Sequence, residues 1–191
     1  MIQVVAVLVV LLSVPLLGGT IECLGEVRIK AAWCAPAAIG VQLLLTQVEL
    51  PLLGTNVGNI LHLGSYGLAV WFIVANRRVR GLWLPALGGL ANLAAISANG
   101  GVMPASDAAA RIAGITSEAT GFQNSKVVND ARLSILGDIF AIPESWPLAN
   151  VFSIGDVLLV VGIGYVLHAG SGSRLIRTAR AEAPEVADVM A

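Results

Sequence analysis

The chain has 191 residues, 57% of them hydrophobic and only 12% charged, with a formal net charge of −1 and a mean hydropathy of +0.84. Soluble domains are about 25% charged, so this composition points away from one, and the chain has no basic run to offer nucleic acid. It predicts an all-α membrane protein, a bundle of about five transmembrane helices, each needing about 20 residues to cross about 30 Å of hydrocarbon.

In chain order, the apolar segments 2–17, 31–53, 58–75, 81–98 and 153–169 are the expected spans, with 1–170 forming one bundle and 171–191 a cytoplasmic tail. The first contains Pro15 and lacks the basic leader and small-residue cleavage site of a signal peptide, which predicts a retained helix. Gly54-Thr55-Asn56-Val57 makes the loop before the third. The interval 99–152 is the one long polar stretch and is expected to form an extracytoplasmic cap of short helices. Ser106, before Asp107-Ala108-Ala109-Ala110-Arg111, reads as a helix N-cap, and Gly114 ends that helix. Residues 129–136 read as a second short helix stopped by Gly137. Residues 133–142 are too few to cross and are expected to lie in the interface or dip back in. No internal repeat of the kind many transporters carry is visible.

Lys and Arg collect in cytoplasmic loops, which orients the bundle. Arg28 and Lys30, Arg77, Arg78 and Arg80, and Arg174, Arg177 and Arg180 all fall on one side, whereas Arg111, Lys126 and Arg132 are spread through the long cap. The expected protein therefore sits in the bacterial plasma membrane as a multi-pass protein, with its N-terminus outside and its C-terminus cytoplasmic. Trp33, Trp71 and Trp83 at inner ends, with Trp146 and Phe152 at the outer boundary, fit interfacial belts. The three tail arginines read as snorkelling toward anionic headgroups. Cys23 and Cys34 face the reducing cytoplasm, so no disulfide is expected, and Glu22 before Cys23 argues against a lipid anchor.

Four helices bring a polar group to the outer side: Glu49, His62, Asn99 and Asp156. With Asp138 in the cap, these define a candidate polar pocket open to the outside. Gln42, Thr46 and Glu49 share one helical face, as do Asn59, His62 and Tyr66, while Asn92 and Asn99 lie two turns apart. Polar stripes on membrane helices face the bundle. Each residue also has an architectural reading. Asp156 three positions after Ser153 matches a capping box; His62 is an amphipathic side chain near an interface; Glu49, two residues before Pro51, is a wet helix end; Asp138 after Gly137 is a turn residue; and Asn99 before Gly100-Gly101 is a left-handed helix C-cap.

No metal or cofactor is expected. His62 and His168 fall at opposite ends and cannot share an ion, both cysteines lie inside, and only a hard cation held by oxygens stays open. No phosphate loop, metalloprotease histidine pair or nucleophile elbow is present. Gly88, Ala91, Ala95 and Ala98, together with Gly155 and Gly162, predict close helix packing.

The stretches Asn99-Gly100-Gly101-Val102-Met103-Pro104, Leu136-Gly137-Asp138-Ile139 and Asn150-Val151-Phe152-Ser153-Ile154-Gly155-Asp156, with Asn76-Arg77-Arg78 and Gly81-Leu82-Trp83-Leu84 before them, resemble a bacterial domain-of-unknown-function family of small multi-pass membrane proteins. The resemblance reaches to about His168 and implies that the cap and the start of the fifth span belong to the family's core; it implies no activity. The expected function is that of a non-enzymatic binding or accessory protein in the lipid bilayer, its outer pocket holding a lipid headgroup, a small ion or a membrane-protein partner. The alternative is a membrane-embedded enzyme or proton-coupled transporter using His62 with Asp138 or Asp156 as acid and base.

Overall fold

The computed structural model describes residues 2–20, 29–47, 54–115 and 125–176. Its elements are α1 (Ile2–Leu16), α2 (Cys34–Gln47), α3 (Gly54–Ala75), α4 (Trp83–Ala98), β1 (Met103–Ala105), α5 (Asp107–Ile112), β2 (Ser125–Val127), β3 (Asp138–Ile142), β4 (Asn150–Ser153) and α6 (Ile154–Gly170), with a 3-10 turn at Ser134–Leu136. Helix α6 packs on α4 and on α1, α2 packs on α3, and α3 touches α4.

The α4–α6 seam is the tightest. A Cβ on Gly88 would sit 2.5 Å from the Gly155 carbonyl oxygen and 2.8 Å from the Leu159 nitrogen, and a Cβ on Gly162 would run into Pro85. Pro85 is tolerated there because it lies in the first turn of α4, where the backbone N–H has no helical partner. The expectation of close packing at Gly88, Gly155 and Gly162 is met.

The four strands form one sheet in the order β2-β1-β3-β4. Strand β1 runs parallel to β2, pairing Met103 with Ser125 and Ala105 with Val127, and parallel to β3 through Ala105 and Asp138. Strands β3 and β4 are antiparallel, with Phe140 opposite Phe152 and an irregularity between Asp138 and Phe140. The paired rings stack at 5.3 Å between centroids, a cross-strand contact that helps fix register. Helix α5 follows β1 directly: Ser106 Oγ accepts from the Ala109 N–H, as its N-cap role predicts, and Ala109 and Ala113 pack with Ala105 and Val151 beneath the sheet. A second small cluster joins Ala95, Ile96 and Met103, with Tyr66 and Leu136 against it.

This architecture corrects the all-α reading: the fold is mixed α/β. The described residues between 103 and 153 hold a four-stranded sheet beside the one short helix α5 and not a cap of short helices alone, 138–142 is a strand, and the expected helix at 129–136 is reduced to a 3-10 turn. Among the described residues, no helix is long and apolar enough to cross a membrane. The physical reason is length and dilution. The 15 residues of α1 and 14 of α2 span roughly 21–23 Å at about 1.5 Å each, short of the hydrocarbon layer, and α4 and α6 have 16 and 17 residues. Helix α3 has 22 residues, but Thr55, Asn56, Asn59, His62 and Ser65 and several glycines dilute its first half. The transmembrane-helix description and the multi-pass cell-membrane location, with an outer N-terminus and cytoplasmic C-terminus, are corrected with it. The apolar residues that raised the mean hydropathy are in large part exposed on the helices, Leu16 at 84% and Ile60 at 68% among them.

Two asparagines hold the chain together by one repeated device. Asn76, just past α3, accepts from the Lys30 N–H at 2.7 Å and donates to the Lys30 carbonyl at 2.7 Å and the Phe72 carbonyl at 2.8 Å. Asn99, the C-cap of α4, accepts from the Arg132 N–H at 3.0 Å and donates to the Arg132 carbonyl at 2.8 Å and the Ala95 carbonyl at 2.7 Å. In both cases the residue after the gripped one, Ala31 or Leu133, has a positive φ, 50° and 52°, a conformation that side chains other than glycine's resist. Asn99 itself has φ −116°; the left-handed positions are Gly100 and Gly101, which corrects the expected left-handed cap.

With three hydrogen bonds at about 1 kcal/mol each, part of them replaceable by water, Asn99→Ala is expected to destabilise the protein by about 2 kcal/mol in urea unfolding. Arg132→Ala should stay within about 0.5 kcal/mol, because only its backbone is held.

Candidate functional site

The start of α6 carries the densest polar arrangement. Ser153 Oγ accepts from the Asp156 N–H at 3.0 Å and Asp156 Oδ2 accepts from the Ser153 N–H at 3.0 Å, a complete capping box that satisfies free amides at the positive end of the helix. Asn92 closes it from α4: its Oδ1 accepts from Ser153 Oγ at 2.9 Å and its Nδ2 donates to Asp156 Oδ1 at 2.9 Å. Ser153 is fully buried and Asn92 nearly so. Gly155 makes room, because a Cβ there would overlap the Asn92 side chain.

Asp138 lies next to this ring through the β3–β4 ladder, directly opposite Ser153. Its backbone carbonyl accepts from the Ser106 N–H at 3.0 Å, and its Oδ2 accepts from Ser125 Oγ at 2.5 Å. Only 3% of the residue is exposed. Burial pushes its carboxyl up to about 6, Ser125 opposes the rise, and the nearby Asp156 charge adds to it. Tyr66 on α3 belongs to the same neighbourhood: burial first, then the charges of Asp156 and Asp138, push its phenol well above the ordinary range.

Of the five candidate pocket residues, the structure brings Asp138 and Asp156 together and places Asn99 elsewhere, at the Arg132 clamp. His62 lies in α3, one turn before Tyr66, with its side chain outside the described residues; Glu49 lies outside them altogether, as does Cys23. Cys34 is buried with a free thiol. Among the described residues, no three His, Cys, Asp or Glu side chains converge as a metal site. Asn92, Tyr66 and Ser125 were not singled out as site residues. Asn92 and Tyr66 had a signal, their helical spacing from Asn99 and His62. Ser125 had none, since only parallel strand pairing brings it to Asp138.

The profile of a family of unknown function, DUF5317, matches residues 26–168. The chain belongs to the DUF5317 family. No curated protein and no solved structure matches it. The DUF5317 match takes in the whole sheet, the Asn92–Ser153–Asp156 ring and both asparagine clamps, but not α1.

The last matched residue, His168, joins the DUF5317 region to what lies beyond it. Its Nε2 is 3.0 Å from Ser13 Oγ on α1 and its Nδ1 is 2.8 Å from Ser173 Oγ. Ser13 Oγ donates its one proton to the Val10 carbonyl, so in a neutral ring Nε2 carries the hydrogen and Nδ1 accepts from Ser173. His168 and Ser173 are buried, which makes this trio a fastening for α1 and not an accessible nucleophile.

Open space lies beside β1, among residues of β1, β2 and β3. A groove of about 530 Å³ is lined by Pro104, Ala105, Ser106, Asp107, Val127, Val128, Asp130, Ala131, Ser134, Ile135 and Ile139. Asp138 and Asp156 do not line it.

Gly155→Ala is expected to lower stability by about 1–3 kcal/mol, as overpacking does, measured by denaturant unfolding. Asp138 supplies a pH test. Its folded-state carboxyl is raised from 3.8 to about 6, so proton binding favours the folded state. The stabilisation is complete below the unfolded value and is lost as pH rises through about 6, a difference of about 3 kcal/mol. Asp138→Asn should flatten the slope of stability against pH between about 4 and 7, and a wild-type protein without that slope would refute the assignment.

Proposed function

We propose that this DUF5317 chain is a non-enzymatic binding protein whose ligand seats in the groove beside β1. The observation that carries the reading is the groove itself: about 530 Å³ of space, within the range of roughly 300–1,000 Å³ typical of small-molecule sites, and lined both by apolar side chains and by Ser106, Asp107, Asp130 and Ser134. Pro104 and Ile139 line it, and both come from the stretches on which the family resemblance rests. The polar residues first expected to form a pocket support the reading indirectly. Asn99, Asp138 and Asp156 are each engaged in hydrogen bonds that hold the fold, and no buried side-chain nitrogen or oxygen among the described residues lacks a partner. A lipid headgroup or a small ion stays a candidate ligand within this reading, because headgroup binding needs no transmembrane span.

One observation favours a second reading, in which Asp138 works as an acid or base with His62: a carboxyl near 6 is suited to proton transfer at neutral pH. Against it stand the burial of Asp138 and its bond to Ser125, and Asp156 is likewise held by Ser153 and Asn92.

Ser134 is exposed at the groove wall, so Ser134→Trp fills the groove without disturbing the core. In a thermal-shift screen of small amphipathic fragments, at least one compound should raise the melting temperature of the wild type and lose that effect in Ser134→Trp. Hits that all persist in the variant would overturn the groove as the binding site.

A further inference from the structure

Charge in this molecule is sorted by place. Helices α1, α2, α3, α4 and α6 contain no Asp or Glu except Asp156, at the start of α6. The other described acids, Asp107, Asp130, Asp138 and Glu144, lie among the strands between 103 and 153. The turns at the opposite end of the helices carry Lys30, Arg77, Arg78, Arg80 and Arg174, all exposed. Backbone contacts hold these turns together. Asn76 grips Lys30, and the Asn76 and Val79 carbonyls accept from the Val79 and Leu82 N–H groups in the turn that joins α3 to α4. A Cβ on Gly81 in that turn would meet the Tyr165 ring of α6, and the Arg174 N–H bonds the Leu17 carbonyl just past α1 at 2.9 Å.

Three indoles share this end: Trp33 precedes α2, Trp71 lies one turn before the end of α3 and Trp83 opens α4, each 61% to 64% exposed. Bilayer interfaces select this pairing, because an amphipathic ring settles at headgroup depth and Lys or Arg beside it is drawn to anionic lipid. Glu22, Glu26, Arg28 and residues 177–191 adjoin this end in sequence and lie outside the described residues; with them counted, bases still outnumber acids, eight to five. We propose that this end of the helical layer docks on an anionic lipid surface, with the three indoles at headgroup depth, the basic side chains against the phosphates and the sheet facing water. The docking requires no span, and it does not depend on the groove.

The test sediments full-length protein with vesicles of phosphatidylcholine, alone or mixed about 3:1 with phosphatidylglycerol. Binding to the mixed vesicles is expected to be about tenfold or more tighter, by a margin that shrinks with added salt. Arg77→Gln/Arg78→Gln/Arg80→Gln, its fold checked by melting temperature, should lose about tenfold or more in affinity for the mixed vesicles. Trp146, exposed in the β3–β4 connection, reports orientation. With brominated lipid in the mixed vesicles, Trp146→Phe should keep strong indole quenching, whereas Trp33→Phe/Trp71→Phe/Trp83→Phe should show little. Equal affinity for the two kinds of vesicle, or quenching of Trp146 in the triple variant, would overturn the docking face. Absence of vesicle binding together with a concentration-dependent dimer that Trp71→Ser/Trp83→Ser dissolves would overturn it too, and would give the face to a second copy of the chain.

Discussion

Gly88 and Gly155 bring α4 and α6 so close that a methyl group at either position would lie against the other helix. The remaining architecture follows from that approach. Only at this distance does Asn92 reach across to Ser153 and Asp156 with both ends of its amide, turning a local helix cap into a joint between two helices. Ser153 is also the last residue of β4, so the joint fixes where the sheet leaves the helical layer, and β3 inherits that position through the pairing of Asp138 with Ser153.

Asp138 is where the two layers meet most closely. It pairs with β1 on one side and β4 on the other, and it is nearly excluded from solvent. A carboxylate buried beside a second carboxylate opposes its own ionisation, and Ser125 supplies one hydrogen bond to offset it. The fold thus places an acid between its two layers and satisfies it by hydrogen bonding, with no opposing charge at it among the described residues. The groove draws its lining from β1, β2 and β3 and from Ser106, whose N–H bonds the Asp138 carbonyl, so it shares strands with this network although Asp138 and Asp156 do not line it.

Local signals in the sequence were readable because they act over three or four residues. Ser106 before an alanine-rich turn and Ser153 three before Asp156 both describe caps that the structure contains, and the glycines of α4 and α6 announced their close contact. What was not readable depends on distant pairing or on lengths too short for periodicity. Strands β1 and β2 have three residues each, fewer than an alternating pattern needs to declare itself. Asp138-Ile139-Phe140-Ala141-Ile142 is an apolar run of a length that period alone cannot assign to strand or helix. Composition alone misleads here: 57% hydrophobic residues suggest spans, whereas the described helices are short, or polar in their first half where long enough. Asn99 was recognised as a helix end, but its grip on Arg132, 33 positions away, has no trace in local sequence.

That grip has a consequence for how the chain tolerates change. Asn76 and Asn99 each bind the main-chain N–H and C=O of one residue, much as a strand edge reads its neighbour. Lys30 and Arg132 are therefore chosen by position and not by identity, and both are exposed. Substitution at the gripped sites is expected to cost little, whereas inserting or deleting a residue within the turn itself, next to Ala31 or Leu133, would move a different amide into the clamp and the left-handed conformation onto a new residue. The two asparagines thus read the local geometry of a turn and not the side chain at its start.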